Sequence, residues 1–259
     1  MPELPEDAFV HAIELLVSHD RDWVPSNAEQ SLYLRPFMIA TTAALGVGRP
    51  ASSYLFLVIA SPSGSVFAGG GRRAVSVWLA EGYTRAAPGG TGEAKTGGNY
   101  AAAFLGQQQA VDNDCDQVVW LDAVEHRWVE EMGGMNLFFV YGTGRDAKIM
   151  TPALTGTLLP GVTRDSLLTL GRDLGYQVEE GKVSVDEWRA GCEAGELTEV
   201  FACGTAAVIT PVGTVKSASG GWVIGDGTPG PVTLTLREEL MGIQYGERPD
   251  PHGWIHKIC

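Results

Sequence analysis

Glycine punctuates this chain from end to end. Thirty-four glycines are spread over 259 residues, well above the ~7% share usual in soluble chains, so the chain is loop-rich and globular rather than disordered. Uncharged stretches occur, notably Val200 to Val215 and Ile149 to Thr163, but they are broken by Gly, Thr and Pro. Neither is the ~20-residue apolar run that a membrane helix requires. Hydrophobic residues make up 44%, enough for a core, and at about 150 residues per domain the length accommodates one large domain or two smaller ones.

The charge balance is acidic, with 18 Lys+Arg against 31 Asp+Glu and a formal charge of −13. Nucleic acid and anionic membranes need a basic field to replace counterions, so neither is an expected partner. An anionic ligand then needs a locally built pocket. The N-terminus, Met1-Pro2-Glu3-Leu4-Pro5-Glu6-Asp7, has no basic start or apolar core and is not read as a secretory signal, so the expected location is cytoplasmic. Cys115, Cys192, Cys203 and Cys259 are scattered without a C-x-x-C pair, and the five histidines (His11, His19, His126, His252, His256) are isolated. No metal site and no Cys-His or Ser-His nucleophile system is expected.

Apolar spacing predicts the elements. Phe9, Ile13, Leu16 and Val17 follow Pro5-Glu6-Asp7 at i, i+4, i+7, i+8, the signature of a helix. Strands are expected at Ser31 to Ala40 and Ser53 to Ala60, the second closed by a turn at Ser61-Pro62-Ser63-Gly64. Gly69-Gly70-Gly71-Arg72-Arg73 reads as a linker into a strand at Ala74 to Ala80. Beyond a Gly-rich loop, Gly89 to Gly98, come a helix from about Tyr100 to Val111 and strands at Gln117 to Leu121 and Asn136 to Tyr141. A helix from Arg164 to Leu174 stopped by Gly175, a helix over Asp186 to Ala194, a strand at Thr198 to Ala202 and a helix from Val232 to Tyr245 complete the set. The division is a small α+β unit over 1–68, a linker and strand over 69–80, and a larger mixed unit over 81–259.

Four segments hold residues suited to chemistry. Lys95 stands in Gly89-Gly90-Thr91-Gly92-Glu93-Ala94-Lys95-Thr96-Gly97-Gly98, where glycines let backbone approach a ligand and leave the amine uncrowded, as a Schiff-base lysine needs. By itself it reads more readily as a surface-loop lysine, since exposed loop lysines are common and the string matches no phosphate-loop pattern. Glu131, in Glu130-Glu131-Met132-Gly133-Gly134 ahead of the apolar run Leu137 to Val140, is placed to aim inward at a cationic ring nitrogen. The competing reading makes both acids solvated loop residues, with Glu130 facing solvent. Leu159-Pro160-Gly161-Val162-Thr163-Arg164 feeds a helix N-terminus suited to phosphate, although Thr163 also reads as a plain N-cap. Gly204-Thr205-Ala206-Ala207 offers a hydroxyl and small residues after a strand, which tight packing explains as well.

Taken in order, these strings resemble the branched-chain amino-acid aminotransferases of the fold-type IV pyridoxal-phosphate class. The resemblance rests on Ser31-Leu32-Tyr33-Leu34-Arg35-Pro36, Lys95-Thr96-Gly97-Gly98-Asn99-Tyr100 and Glu131-Met132-Gly133-Gly134-Met135-Asn136-Leu137-Phe138. It continues through Leu159-Pro160-Gly161-Val162-Thr163-Arg164, Cys203-Gly204-Thr205-Ala206-Ala207 and Gly242-Ile243-Gln244-Tyr245-Gly246. It implies an α+β (mixed α/β) fold: a partial small α+β domain followed by a larger mixed-sheet, pseudo-barrel domain. It also implies a homodimer whose partners are amino acids and 2-oxo acids, with pyridoxal 5′-phosphate as cofactor.

By the same resemblance, Lys95 is the catalytic lysine that holds the cofactor and shuttles the proton, and Glu131 pairs with the pyridine nitrogen. Tyr100 meets the phenolic oxygen and Leu159 packs on the ring. The Val162 and Thr163 N–H groups and the Thr205 hydroxyl take the phosphate, and Arg85 lies close to the cofactor. Tyr33 and Arg35 line the side-chain pocket, while Ala206 and Ala207 receive the α-carboxylate. The expected reaction transfers the amine of leucine, isoleucine or valine to 2-oxoglutarate by a ping-pong route. The family's chain begins roughly a hundred residues earlier, a domain-sized piece carrying an arginine for the phosphate, so loose cofactor binding is expected here. The competing readings are another fold-type IV enzyme, such as a D-amino-acid aminotransferase or an aminodeoxychorismate lyase, and a catalytically impaired remnant.

Overall fold

The computed structural model describes residues 1–27, 30–46, 48–64 and 73–258, and they fall into two units. The expected linker at 69–72 lies outside the described residues.

The first unit comprises residues 1–64 and 252–258. Its helix α1, Glu6–His19, starts after Pro5 and places Glu6 and Asp7 in its first turn, where the helix dipole favours negative charge. Strands β1, Ser31–Ala40, and β2, Tyr54–Ser63, form an antiparallel pair. The turn expected at residues 61–64 gives way to strand, because Ser61, Pro62 and Ser63 pair with Tyr33, Leu32 and Ser31. Pro62 is tolerated because a two-stranded ribbon leaves one edge of each strand unpaired. Phe9 of α1 meets Phe56 of β2 at 6.0 Å. The tail, expected with the larger unit, groups with this one, and His256 Nε2 lies 2.9 Å from Glu14 Oε1.

The second unit spans 73–251 among the described residues. Its order is β3 (Val75–Ala80), α2 (Gly97–Asp112), β4 (Gln117–Leu121), β5 (Val129–Met132), β6 (Met135–Tyr141), β7 (Lys148–Pro152) and α3 (Val162–Asp173). There follow β8 (Gln177–Gly181), α4 (Val185–Ala194), β9 (Leu197–Gly204), β10 (Val208–Ser217), β11 (Gly220–Val223) and α5 (Pro231–Gln244). Strand β10 pairs β3, β3 pairs β4, β4 pairs β5, β5 pairs β6, β6 pairs β9, and β9 returns to β10. The sheet is therefore a closed ring, with β7–β8 and β11 as extensions. Closure leaves the six ring strands few free edges.

Alternation then sorts side chains to two sides of the ring. Val77, Leu79, Val119, Leu121, Leu137, Phe139, Val200 and Val215 meet in one core with Trp188 of α4, whose ring stands edge-on to Phe139 and Trp222 at 5.2 and 5.5 Å. On the other side, Phe138 stacks on Phe201 at 5.0 Å in a core shared with Leu167 and Leu170 of α3 and Leu236 and Leu240 of α5. Helix α2 covers β3 and β4, packing on Val118 and Trp120. The buried Arg164 ties α3 to β7 and β8 by donating to the Pro152 carbonyl and the Glu180 carboxylate.

Strands β5, β7, β8, β10 and β11 had no expected counterpart in the apolar pattern. Strand β5 carries two glutamates, and β10 carries Pro211 and Gly213, which local propensity disfavours in strands. Tertiary pairing overrides this: β10 shifts register at Gly213, where a side chain would collide with Ala74 and the Gly227 carbonyl. The uncharged stretch 200–215 is the β9–β10 hairpin. Among the described residues, no helix is long and apolar enough to cross a membrane.

Candidate active site

A bulge in β5 builds the centre of the site. Met132 opposes Val119 and Val129 opposes Leu121, so three steps on β5 match two on β4 and one extra residue is accommodated. Val129 and Met132 consequently both enter the core, and Glu130 and Glu131 both leave it. The expectation of two solvated loop acids is corrected on this point: the residues lie on a strand and are only 7% and 1% exposed.

Glu131 Oε1 accepts the Leu159 N–H at 2.6 Å, and Oε2 lies 3.1 Å from Arg85 Nη2. Arg85 Nη2 also donates to the Thr157 carbonyl at 2.6 Å and the Gly92 carbonyl at 3.2 Å. One guanidinium thus joins the Gly-rich loop, the 157–159 segment and β5. Gly92 is required there because any side chain would overlap the Thr157 backbone. Burial pushes the Glu131 carboxyl up to about 7, outweighing Arg85, the Leu159 N–H and Lys95, while Glu130 adds to the rise. Glu130 accepts from the Thr157 hydroxyl, and burial raises its carboxyl too.

Lys95 is exposed at the end of the Gly-rich loop, with Nζ 6.0 Å from the centre of the Tyr100 ring. Buried Asn99 shapes that loop, donating to the Thr91 and Ala94 carbonyls at 2.7 and 2.8 Å and accepting from the Thr91 hydroxyl. Helix α2 begins at Gly97, earlier than expected, so Asn99 and Tyr100 sit in its first turn. Tyr100 faces Gly134, just before β6.

The Leu159 carbonyl accepts from Asn136 Nδ2 at 3.0 Å. Gly161 packs so closely on Asn136 that a side chain would overlap it. Gly161, not Thr163, is the N-cap of α3, and no side chain caps it. Thr163 therefore stands inside the first turn, and the first amides of the helix have no capping side chain. Asn136 pairs with Cys203 across β6 and β9, which brings the hairpin turn Thr205-Ala206-Ala207 alongside, with Gly204 against Met135. Val208 closes that turn at φ +54°, a conformation strained for a β-branched residue.

In the second unit Glu131 contacts Arg85 and Leu159, Lys95 lies near Tyr100, and Asn136 links Leu159 to the strand that ends just before Thr205, Ala206 and Ala207, while Val162 and Thr163 stand in the first turn of α3. Tyr33 and Arg35 belong to the first unit, where Arg35 Nη2 donates to the Tyr33 hydroxyl at 3.3 Å and its guanidinium lies 5.1 Å from the Tyr33 ring centre. Three residues absent from the expectations organise the site: Thr157, Asn99 and Asn136. Asn99 and Asn136 stand inside motifs already singled out, and polar side chains amid glycines were their available signal. Cys115 and Cys203 are buried free thiols, and burial raises both. No cluster of metal ligands exists among the described residues.

Comparison with known proteins adds to this geometry. The profile of the amino-transferase class IV family matches residues 1–215. A probable branched-chain-amino-acid aminotransferase of Streptomyces coelicolor is 61% identical over 260 residues, covering 100% of this chain and 70% of its own. The branched-chain-amino-acid aminotransferase of Mycolicibacterium smegmatis is 58% identical over 259 residues with the same coverage. Among solved structures, the branched-chain aminotransferase of Escherichia coli matches with a TM-score of 0.83 and 27% identity, over 100% of this chain and 78% of that one. The T.th. enzyme complexed with N-(5′-phosphopyridoxyl)-L-glutamate matches with a TM-score of 0.79 and 30% identity, over 99% and 76%.

Proposed function

This chain belongs to the class IV amino-transferase family, and on that premise we propose that it transfers the amino group of leucine, isoleucine or valine to 2-oxoglutarate, using pyridoxal 5′-phosphate. The observation that carries the reading is Glu131, a buried carboxylate with Lys95 and Arg85 around it. Each of its oxygens is committed to one donor, and a carboxylate offers about four lone-pair sites. Room therefore remains for a protonated ring nitrogen, and a cation there would favour the ionised acid. The residues present fit the cofactor.

When bound, pyridoxal phosphate supplies a sink for the electron pair left on the substrate α-carbon. Lys95 would anchor it covalently and, once displaced by the substrate amine, carry a proton between the α-carbon and C4′ of the cofactor. Glu131, steadied by Arg85 and the Leu159 N–H, would hold the proton on the ring nitrogen. Tyr100 would donate to the phenolic oxygen, and Leu159 would pack on the ring. The Val162 and Thr163 N–H groups at the uncapped start of α3, with the Thr205 hydroxyl, suit a phosphate.

For the substrate, Ala206 and Ala207 would present N–H groups to the α-carboxylate, and Tyr33 and Arg35 would line the side-chain pocket. An apolar pocket with one arginine serves both half-reactions, since the distal carboxylate of 2-oxoglutarate needs a cation. The oxo acid would leave before 2-oxoglutarate enters, a ping-pong order. We read the protein as a cytoplasmic homodimer. Phe104 and Leu105 of α2, 72% and 61% exposed, support self-association.

Borohydride reduction of the chain saturated with pyridoxal phosphate tests this directly. Mass spectrometry should place the cofactor on the Lys95 peptide, and Lys95→Ala should lose both the adduct and the formation of glutamate from leucine and 2-oxoglutarate. An adduct on another lysine, or none on the wild-type chain, would sink the reading.

A further inference from the structure

The bulge that turns Glu131 toward Lys95 turns Glu130 elsewhere. Glu130 lines a cavity of about 250 Å³ whose wall includes Val124, Trp128, Pro152 and Leu158. None of Lys95, Tyr100, Glu131, Val162, Thr163 or Thr205 borders it, so it adjoins the candidate active site through Thr157 without opening on those residues. At about 30 Å³ per water molecule, the space suits a ligand of about six to eight non-hydrogen atoms.

The charged lining is acidic, with Asp122, Glu125 and Glu130 against Lys182. Two of the acids are occupied. Asp122 accepts the N–H groups of Val124, Glu125, Arg127 and Trp128, and Glu125 accepts the Trp128 indole N–H at 3.1 Å. Lys182 rests on the Trp128 ring, 5.0 Å from its centre. Glu130 differs, being 7% exposed with Oε1 taken by the Thr157 hydroxyl. Among the described residues Oε2 has no hydrogen-bond partner and no cation stands within ion-pair distance of the carboxylate; Arg85, which pairs with Glu131, acts on it only from further off. A buried carboxylate without a contacting cation is costly, and burial holds this one above the usual acid range against the pull of Thr157 and Arg85.

We propose that this cavity binds a small primary ammonium ion with an aliphatic body, its N–H groups donating to Glu130 and its carbons lying against Trp128, Pro152 and Leu158. The ammonium supplies the contact ion pair that Arg85 gives to Glu131 and not to Glu130, and the apolar wall removes the hydrocarbon from water. Thr157 would carry occupancy toward the neighbouring site, since its hydroxyl donates to Glu130 while its carbonyl accepts from Arg85. The proposal stands independently of the cofactor reading.

Calorimetric titration of the full chain, without added cofactor and at neutral pH, tests it with three probes: 3-methylbutylamine, 3-methylbutanol as its uncharged counterpart, and valine as a zwitterion. The amine should bind saturably at one site, and the alcohol about tenfold or more weaker. Glu130→Gln should weaken the amine by about the same factor and leave the alcohol unchanged. Ala153→Phe, which fills the cavity from its wall and spares Glu130, should abolish amine binding and keeps the test open if Glu130→Gln fails to fold. Lys182→Ala separates the sources of the ammonium, weakening valine but not the amine if the natural ligand is an amino acid, and neither if it is an amine. No saturable amine binding at millimolar concentration, or equal affinity in the wild type, Glu130→Gln and Ala153→Phe, would overturn the proposal.

Discussion

Arg85 lies 3.1 Å from Glu131, yet burial prevails and the carboxyl titrates at about 7 instead of 4.5. The folded state therefore keeps this proton longer than the unfolded chain does. Stability from the group is fully present below about pH 4.5 and is lost as pH rises through 7, an effect on the order of 3 kcal/mol. Thermal unfolding of the cofactor-free chain at pH 5 and pH 8 should show that loss, and Glu131→Gln should flatten the difference; an unchanged difference would place the titration elsewhere. In the loaded enzyme, Glu131→Gln should slow single-turnover transamination of leucine at least tenfold while cofactor affinity changes little, because the phosphate contacts persist. Wild-type rates in Glu131→Gln together with slow rates in Glu130→Gln would identify the other carboxylate. Glycine surroundings singled out Lys95 and Glu131 in the sequence, but it was the order of the motifs, not the glycines, that linked the two. The burial of Glu130 was not legible there, because strict alternation assigns two adjacent strand residues to opposite faces.

At the scale of elements, the seating of α2 is decided by a single glycine. Gly106 lies flat on the Trp120 ring, where any side chain would overlap it. Trp120 cannot swing aside freely, since its indole N–H donates to the Gly133 carbonyl at 2.9 Å and the residue is fully buried. Gly106→Val should cost about 1–3 kcal/mol by overpacking, lowering Tm by about 2–12 °C. It should also displace Tyr100, in the first turn of the same helix, and weaken cofactor binding along with stability; an unaltered Tm would show that α2 can lift away from β4 without penalty. Helices α1, α4 and α5 follow their apolar periodicity closely, and the capping box of Ser184 and Glu187 marks the start of α4. The N-cap of α3 escaped the sequence because a glycine leaves no side-chain signal and Thr163 is the stronger candidate by type.

Across the whole molecule, burial divides unevenly between the units. Val17 is the one buried residue among those described in the first unit, whereas the second holds two large cores and a smaller one under α2. A two-stranded ribbon with one helix buries little apolar surface, so backbone amides of residues 31–63 should exchange faster than those of β4, β6 and β9. Hydrogen exchange read by mass spectrometry checks this, and equal protection in both sets would contradict it. The chain spans 70% of the length of the Streptomyces coelicolor and Mycolicibacterium smegmatis proteins to which it is 61% and 58% identical, and the acidic charge of −13 leaves any anion-binding role to local donors such as the first turn of α3.

The order and identity of the motifs, the periodic helices and the apolar strands β4 and β6 were determined by the sequence itself, because each depends on residues within one or two turns or one pleat of one another. Only the tertiary structure decided that Val75 would pair with Val212 and close the ring, that β5 would take one extra residue, and that Arg85 would reach Glu131, Thr157 and Gly92 at once. Those outcomes come from pairing and desolvation between segments far apart in the chain, where the cost of burying a charge depends on neighbours that no local pattern names.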